Sequence, residues 1–218
     1  MLSFAEENYL KTIYHLSKGG RKDVSTNSIA ESLHTKPASV SDMIRKLSRK
    51  KVVNYKKYQG VNISKEGKEK ALLVIRKHRL WEVFLVNKLK FSWDQVHEIA
   101  EQLEHIRSPL LIERLDRFLG FPQYDPHGDP IPVKKGVINS KPQIPLCDLK
   151  LNDSGVVIAV KDSSKEFLQY LDKLGASIGT KIRVLDKIAY DGSMEIDIGD
   201  QKSVFVSGEV SENILITS

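Results

Sequence analysis

Two histidines and two glutamates near the middle of the chain are spaced to share one face of a helix. In a stretch with helical periodicity, residues 93–107, positions i, i+4, i+7 and i+8 are occupied by His97, Glu101, Glu104 and His105. Side chains at these intervals project from the same side of a helix. Imidazole nitrogens and carboxylate oxygens together form a ligand set for divalent transition metals. The spacing therefore predicts a metal-binding face.

A second His/Glu pair precedes this face. His78 and Glu82 stand at i and i+4 within a long helical pattern that covers residues 64–90. Two helices that face each other can direct such side chains into one interior site. The zinc-protease motif His-Glu-x-x-His is excluded. His97 and Glu98 match its first two positions, but position 101, which would carry the second histidine, is Glu101. The alternative, that these are polar side chains facing solvent, stays open at this point.

The excess positive charge is confined to the first third of the chain. The 218 residues carry a formal net charge of +6. Residues 1–63 alone hold 12 Lys and Arg against 5 Asp and Glu. Such asymmetry is typical of a nucleic-acid-binding segment joined to a part with another role. A solvated basic face is the other interpretation of the same charge.

The amino-acid composition indicates a globular protein and argues against disulfide-rich and membrane-spanning classes. A hydrophobic content of 40% with 28% charged residues is ordinary for a globular chain. The one cysteine, Cys147, excludes an internal disulfide framework. No apolar run approaches the ~18–20 residues of a membrane span. We therefore expect a soluble, cytoplasmic protein.

Apolar periodicity in the first third predicts three helices and a hairpin. Helices are expected over residues 3–17, 25–33 and 37–50. Residues 52–63 follow as two short strands around a basic turn that contains glycine. This order is that of a winged helix-turn-helix, in which the third helix enters the major groove and the wing lies along the DNA backbone.

The third helix and the wing supply the predicted DNA contacts. Base contacts are expected from residues near the start of the helix, namely Lys36, Ala38, Ser39, Ser41 and Asp42. Phosphate contacts are expected from basic residues further along the helix and on the wing, namely Arg45, Lys46, Arg49, Lys50, Lys56 and Lys57. The wing tyrosines, Tyr55 and Tyr58, either contact the DNA backbone or pack the wing onto its own domain.

In the remainder of the chain, the sequence pattern changes from one typical of helices to one typical of β-strands. Helical patterns continue to about residue 120, and a proline-rich loop or linker covers residues 121–147. In this loop we expect His127 to make a structural hydrogen bond, with metal ligation as the alternative. From about residue 148, short β segments around one helix at 164–174 predict a small β-barrel-like domain. We therefore expect a mainly α chain with a C-terminal β domain, divided into residues 1–73, 74–140 and 148–218.

Taken together, these motifs resemble those of the metal-dependent repressors of the diphtheria toxin repressor and manganese transport regulator family. The matching segments are residues 7–14 (ENYLKTIY), 77–82 (KHRLWE), 96–98 (VHE), 103–105 (LEH) and 129–132 (DPIP). The resemblance spans nearly the whole chain. It implies an N-terminal winged helix-turn-helix domain, a helical metal-binding and dimerisation domain, and a small SH3-like β-barrel.

The resemblance implies two neighbouring metal sites. The ligands of the regulatory site map to Asn8, Glu101, Glu104 and His105. Those of the ancillary site map to His78, Glu82 and His97, with Glu166 of the SH3-like domain as the candidate for a fourth ligand. Glu101 stands where iron-type members carry Cys, and a hard carboxylate suits Mn²⁺ or Fe²⁺. Other divalent transition metals are expected to substitute in vitro.

Two positions depart from the family pattern. Asn8 stands where other members have Asp or Met, so its amide oxygen can ligate but brings no charge. Lys11 stands where the manganese-type member has a ligating Glu, so this chain lacks that ligand for a two-metal cluster.

For function, the resemblance implies a repressor of metal-uptake genes that is not an enzyme. It would bind a palindromic double-stranded DNA operator as a homodimer when loaded with Mn²⁺ or Fe²⁺, with no membrane and no small-molecule substrate as partner.

Three alternatives stay open. A winged-helix regulator of a non-metal effector would bind DNA regardless of chelator. A small metalloenzyme would need an open coordination position and a substrate pocket. A metal-binding interaction protein would bind DNA weakly and with a steep salt dependence.

Overall fold

The computed structural model describes residues 2–56, 59–133, 142–199 and 202–217. The described residues form two compact units. The first is drawn from the described residues within 1–78, 101–114 and 132–133, and the second from the described residues within 79–100, 115–131 and 142–217.

The first unit begins with three helices and a two-stranded hairpin. These elements are α1 (Phe4–Leu16), α2 (Thr26–Ser32), α3 (Pro37–Arg49), β1 (Val53–Lys56) and β2 (Gly60–Ile63). The predicted helical stripes meet in a core whose fully buried members are Leu10, Ile13, Ile29, Val40, Ile44, Leu47, Val52, Val61 and Ala71. The predicted winged helix-turn-helix arrangement is confirmed.

Local sequence explains where these elements begin. Ser3 and Glu6 form a capping box, in which each side chain accepts from the other residue's backbone N–H. Pro37 opens α3, where a missing backbone donor costs nothing. Backbone bonds of 2.9 Å in both directions between Val24 and Val61 tie the hairpin to the segment before α2. The predicted phosphate contact Lys57 and the wing residue Tyr58 lie outside the described residues.

Three further helices are α4 (Lys65–Asn87), α5 (Val96–Leu103) and α6 (Pro109–Phe118). The prediction of one helix over residues 93–107 is too long at both ends. Residues 93–95 form a turn, in which the N–H of Gln95 donates to the carbonyl of Ser92 at 3.0 Å. At the other end, the chain must leave the helical region before Pro109, and Glu104 and His105 lie in a turn directly after α5.

The C-terminal part of the second unit is an antiparallel sheet with two helices. Its strands are β3 (Ile144–Pro145), β4 (Ser154–Val160), β5 (Lys181–Lys187), β6 (Met194–Ile198), β7 (Lys202–Val206) and β8 (Ile214–Thr217), and its helices are α7 (Lys165–Leu174) and α8 (Gly208–Asn213). The strand order is β3-β8-β4-β5-β6-β7. The predicted C-terminal β domain is confirmed. Within the described residues its ladders form an open sheet, because no pairing joins β3 to β7.

The start of the proline-rich stretch is folded rather than a linker. Arg79 of α4 holds it, with Nε 3.3 Å from Asp125 and with further bonds to Asp129 and the carbonyl of Pro130. Gly128 has a φ of +86°, and a Cβ at this position would lie 2.0 Å from the carbonyl oxygen of Ile158. The part of the segment around Gly128 therefore packs directly on β4.

Among the helices of the described residues, none combines the length and the apolar character that a membrane crossing requires.

Candidate metal centres and nucleic-acid interface

The regulatory cluster comprises the side chains around Glu104 in the first unit. Glu104 is fully buried. Its Oε2 lies 2.7 Å from Nδ1 of His78, and both of its oxygens lie 2.9 Å from Nζ of Lys11. Lys11 also reaches Oε1 of Glu101 at 3.4 Å. The predicted ligand Glu104 is thus tied to α1 by an ammonium group.

His105 provides a second tie to α1. Its Nδ1 lies 2.7 Å from Oε2 of Glu7, and its ring stacks on Phe4 with centroids 4.8 Å apart. Asn8 follows Glu7 on α1 and is exposed. His78 bonds to Glu104 and, as predicted for the ancillary site, stands one turn before Glu82 on α4.

Electrostatics favour the ionised form of Glu104. Burial raises the pKa of this carboxyl, but the hydrogen bond with His78 and the charge of Lys11 outweigh burial and lower it. Burial lowers the pKa of Lys77, whose ammonium lies 4.0 Å from Glu7. The regulatory cluster is therefore a set of carboxylates balanced by lysines.

The second cluster comprises Glu82, Asp125 and His127 in the second unit. All three are buried, and their ligand atoms lie within 4.8 Å of one another. His97 is half-exposed at the edge of this cluster, with Nδ1 3.4 Å from Oε1 of Glu82. Glu166 is exposed in the first turn of α7, and among the described residues it does not lie close to two other metal-ligating side chains.

The orientation of His127 suits a ligand. Its Nε2 lies 2.8 Å from the carbonyl oxygen of Trp93. A carbonyl only accepts, so Nε2 is the donor and the neutral ring presents the lone pair of Nδ1. That atom lies 3.8 Å from Oε1 of Glu82. The predicted structural hydrogen bond is therefore present. Burial lowers the pKa of His127, but the hydrogen bond with Glu82 and the charge of Glu82 outweigh burial and raise it, so Nδ1 already interacts with a carboxylate.

Two buried carboxyl groups face each other in the second cluster. Burial first, then the charges of Glu82 and Asp129, raise the pKa of Asp125 to about 7, against a partial opposing effect of Arg79. A divalent cation relieves such repulsion, and two carboxylates with an imidazole are ligands that Mn²⁺ and Fe²⁺ accept. The residues present therefore fit a metal ion.

Sequence reasoning missed Asp125 and favoured a structural hydrogen bond over metal ligation for His127. Both lie in a loop, where no helical or strand period brings side chains together. The available signal was local composition, because two aspartates and a histidine fall within residues 125–129.

The predicted base-reading residues lie at the exposed start of α3. Lys36, Ala38, Ser39 and Asp42 are exposed, and Ser41 is half-buried. Two of these side chains have local partners, since Asp42 pairs with Arg45 at 3.3 Å and the hydroxyl of Ser41 donates to the carbonyl of Pro37 at 3.0 Å. Tyr55 is half-buried against the core of the first unit, which favours its packing role.

The basic end of α3 is joined to α1. Glu6 is 1% exposed, and its Oε1 lies 3.3 Å from Nζ of Lys46 and 2.7 Å from Nζ of Lys50. Burial raises the pKa of Glu6, but bonds from Lys50, Ser3 and Lys46 prevail and lower it to about 2. Two predicted phosphate contacts therefore share one buried carboxylate. Arg49 and Lys56 are exposed.

Comparison with known proteins places three family models along the chain. The N-terminal DNA binding domain of iron dependent repressors matches residues 1–61, the metal binding and dimerisation domain of iron dependent repressors matches residues 64–133, and the FeoA domain matches residues 144–218.

Individual relatives agree with these matches. The chain is similar to a manganese-dependent transcriptional repressor solved in complex with manganese, with 35% identity, coverage of 98% of this chain and 99% of that one, and a TM-score of 0.88. The chain is also similar to an uncharacterised HTH-type transcriptional regulator of Methanocaldococcus jannaschii. The two are 35% identical over 118 residues, which is 54% of this chain and 94% of that protein. It is 34% identical over 133 residues, 60% of its length, to the iron-dependent repressor IdeR of Mycobacterium tuberculosis, and covers 57% of that protein.

These matches cover each part of the chain that the motifs and the fold single out. The chain belongs to the diphtheria toxin repressor and manganese transport regulator family of metal-dependent transcriptional repressors, as its motifs predict.

Proposed function

We propose that this protein is a repressor that binds its operator as a homodimer when Mn²⁺ or Fe²⁺ occupies the regulatory cluster. One observation carries the proposal. The side chains predicted to ligate metal are bonded to α1 of the DNA-binding elements, through Glu7 to His105 and through Lys11 to Glu104. Any change at those ligands is therefore transmitted to the helix that packs beside α2 and α3.

The residues of this chain have distinct roles in the proposal. Asn8, Glu101, Glu104 and His105 would hold the regulatory metal, and Glu82, Asp125, His127 and His97 would hold a second one. A bound divalent cation would supply positive charge where carboxylates gather, and so fix α1 against the segment 101–105. The gain in DNA affinity is limited to the coupling between the two sites, typically ~1–3 kcal/mol.

DNA recognition is assigned to α3 and the wing. Lys36, Ala38, Ser39, Ser41 and Asp42 would read bases, while Arg45, Lys46, Arg49, Lys50, Lys56 and Lys57 would contact phosphates. We assign residues 1–73 to the DNA-binding domain, 74–140 to metal binding and dimerisation, and 148–218 to the SH3-like domain. A two-fold dimer matches a palindromic operator in the cytoplasm.

The test is fluorescence anisotropy of a labelled promoter fragment of the protein's own gene at fixed salt. We expect operator affinity to rise at least tenfold with Mn²⁺ or anaerobic Fe²⁺ and to return to its starting value with chelator. Glu101→Gln should abolish this gain without unfolding the protein, because the Glu101 side chain is 49% exposed. Glu98→Gln changes an exposed glutamate on the same helix and serves as the matched control.

Two outcomes would contradict the proposal. Tight binding that ignores chelator would indicate a regulator of a non-metal effector. A full metal response in Glu101→Gln would show that the regulatory ligands are assigned incorrectly. We propose no catalytic role, since the family consists of transcriptional repressors.

A further inference from the structure

Lys11 places a cation inside the regulatory cluster. Its side chain is 15% exposed, and its Nζ lies 2.9 Å from each oxygen of Glu104. Because Oε2 of Glu104 also bonds to His78 at 2.7 Å, both carboxylate oxygens already have partners. Three of the about four lone-pair sites of this carboxylate are therefore occupied, and a metal ion that coordinates Glu104 would share it with the ammonium group of Lys11 at close range.

The charge balance of the cluster leads to the same competition. Its carboxylates and ammonium groups are Glu7, Glu101, Glu104, Lys11 and Lys77, and the guanidinium group of Arg107 adds a positive charge that acts on Lys77. With neutral histidines, these groups carry no net charge, and a divalent cation makes the cluster doubly positive. Without Lys11 they carry one negative charge, and a divalent cation leaves only a single positive charge. Like charges at such distances repel strongly in partly buried surroundings.

We propose that Lys11 is an affinity-setting residue, whose ammonium group holds Glu101 and Glu104 together in the metal-free protein and is displaced when metal binds. This inference rests on the proposed function, because it takes those glutamates as metal ligands. The ammonium group keeps the carboxylates from repelling each other in the absence of metal. The same group raises the metal concentration at which the cluster fills.

The experiment compares Mn²⁺ affinity, by competition with a fluorescent chelator, among four full-length proteins. All carry Glu82→Gln, so that the titration reports on the regulatory cluster. They are the parent, Lys11→Met, Lys11→Arg and Lys68→Met, in which Lys68 is an exposed lysine of α4. We expect Lys11→Met to bind Mn²⁺ at least tenfold more tightly, and the other two variants to stay within threefold of the parent.

Thermal unfolding in chelator gives a readout that does not depend on metal. Lys11→Met should have a lower melting temperature than Lys68→Met, because Glu101 and Glu104 lose their counter-charge. Lys11→Arg, which keeps the charge, should melt close to the parent.

Each other outcome overturns the inference. The inference is overturned if the Mn²⁺ affinity of Lys11→Met lies within threefold of that of Lys68→Met. It is also overturned if Lys11→Met binds Mn²⁺ more weakly, because the ammonium group would then support metal binding. If Lys11→Met does not fold, Lys11→Gln is held to the same thresholds. A parent that binds no Mn²⁺ contradicts the proposed function. If the parent binds no Mn²⁺ but Lys11→Met does, the inference that the ammonium group competes with metal is still supported. If neither protein binds Mn²⁺, the inference is overturned.

Discussion

The regulatory cluster and the second cluster use the same donor types in opposite electrostatic states. In the regulatory cluster, Lys11 and His78 lower the pKa of Glu104 below its usual value. In the second cluster, burial and the charges of Glu82 and Asp129 raise the pKa of Asp125 to about 7. One cluster is assembled around a cation that the chain itself provides, whereas in the other the charge of Arg79 offsets the repulsion between carboxylates only in part. We therefore expect the second cluster to bind metal more tightly and the regulatory cluster to respond to changes in metal concentration.

The largest expected effect tests whether the regulatory cluster is held by its own ion pair. Glu104→Gln leaves the ammonium group of Lys11 partly buried without its main partner, which should cost about 3 kcal/mol of unfolding free energy. Urea denaturation in chelator measures this loss. Glu98→Gln, on the exposed face of α5, should stay within about 0.5 kcal/mol of the wild type. A loss below 1 kcal/mol for Glu104→Gln would contradict the comparison.

In the second cluster, stability should depend on bound metal rather than on ion pairs within the chain. Glu82→Gln removes one of two repelling carboxylates, so the stability of the metal-free protein should change by no more than about 1 kcal/mol. The variant should instead lose the stabilisation that Mn²⁺ gives this cluster, about 2.7 kcal/mol at one hundred times the dissociation constant. Denaturation with and without Mn²⁺ separates the two quantities. A large loss without metal would show that Glu82 is primarily structural.

The loop that carries Asp125 and His127 can be displaced without touching a ligand. In Gly128→Ala the new Cβ meets the backbone of Ile158 and Ala159, and the residue keeps a φ of +86°. The expected cost is about 2 kcal/mol, together with loss of metal binding at the second cluster only. Gly120→Ala is the matched control, since its φ is +75° but no atom lies within 4 Å of the added Cβ. Equal costs for the two variants, measured by thermal unfolding, would exclude the backbone contact as the cause.

The smallest effect is expected at the edge of the second cluster. His97→Ala should change unfolding free energy by less than about 0.5 kcal/mol, because the side chain is 48% exposed. Mn²⁺ affinity should fall less than tenfold, which is about 1.4 kcal/mol. Chelator competition measures this affinity. A larger fall would make His97 a principal ligand and weaken the assignment of His127.

The sequence predicts much of the DNA-binding elements because their physics is local. The apolar residues Leu10, Ile29, Val40 and Ile44 recur at helical intervals, and all are buried. Pro37 marks the start of α3 for a reason that acts within one turn. Apolar periodicity and residues that start a helix, such as Pro37, are sufficient to predict the helices and the wing.

Contacts between distant segments were not predictable in the same way. Lys11 and Glu104 are 93 positions apart, and no pattern in either segment indicates that they meet. Asp125 and His127 reach Glu82 because Arg79 holds their loop and Gly128 permits its approach to β4. The pattern at residues 93–107 predicted too long a helix, since the hydrogen bonds that end α5 depend on the turns around it.

The bond between Glu6 and the lysines of α3 has a consequence for the salt dependence of DNA binding. A lysine that meets a phosphate normally releases the ions condensed on the DNA, and each such contact steepens the fall of affinity with salt by nearly one logarithmic unit. Lys46 and Lys50 already have a counter-ion that cannot diffuse away, because Glu6 belongs to the same chain. The three groups together carry one positive charge rather than two, so they neutralise fewer phosphates, and affinity at high salt declines less than a count of basic residues on α3 would indicate.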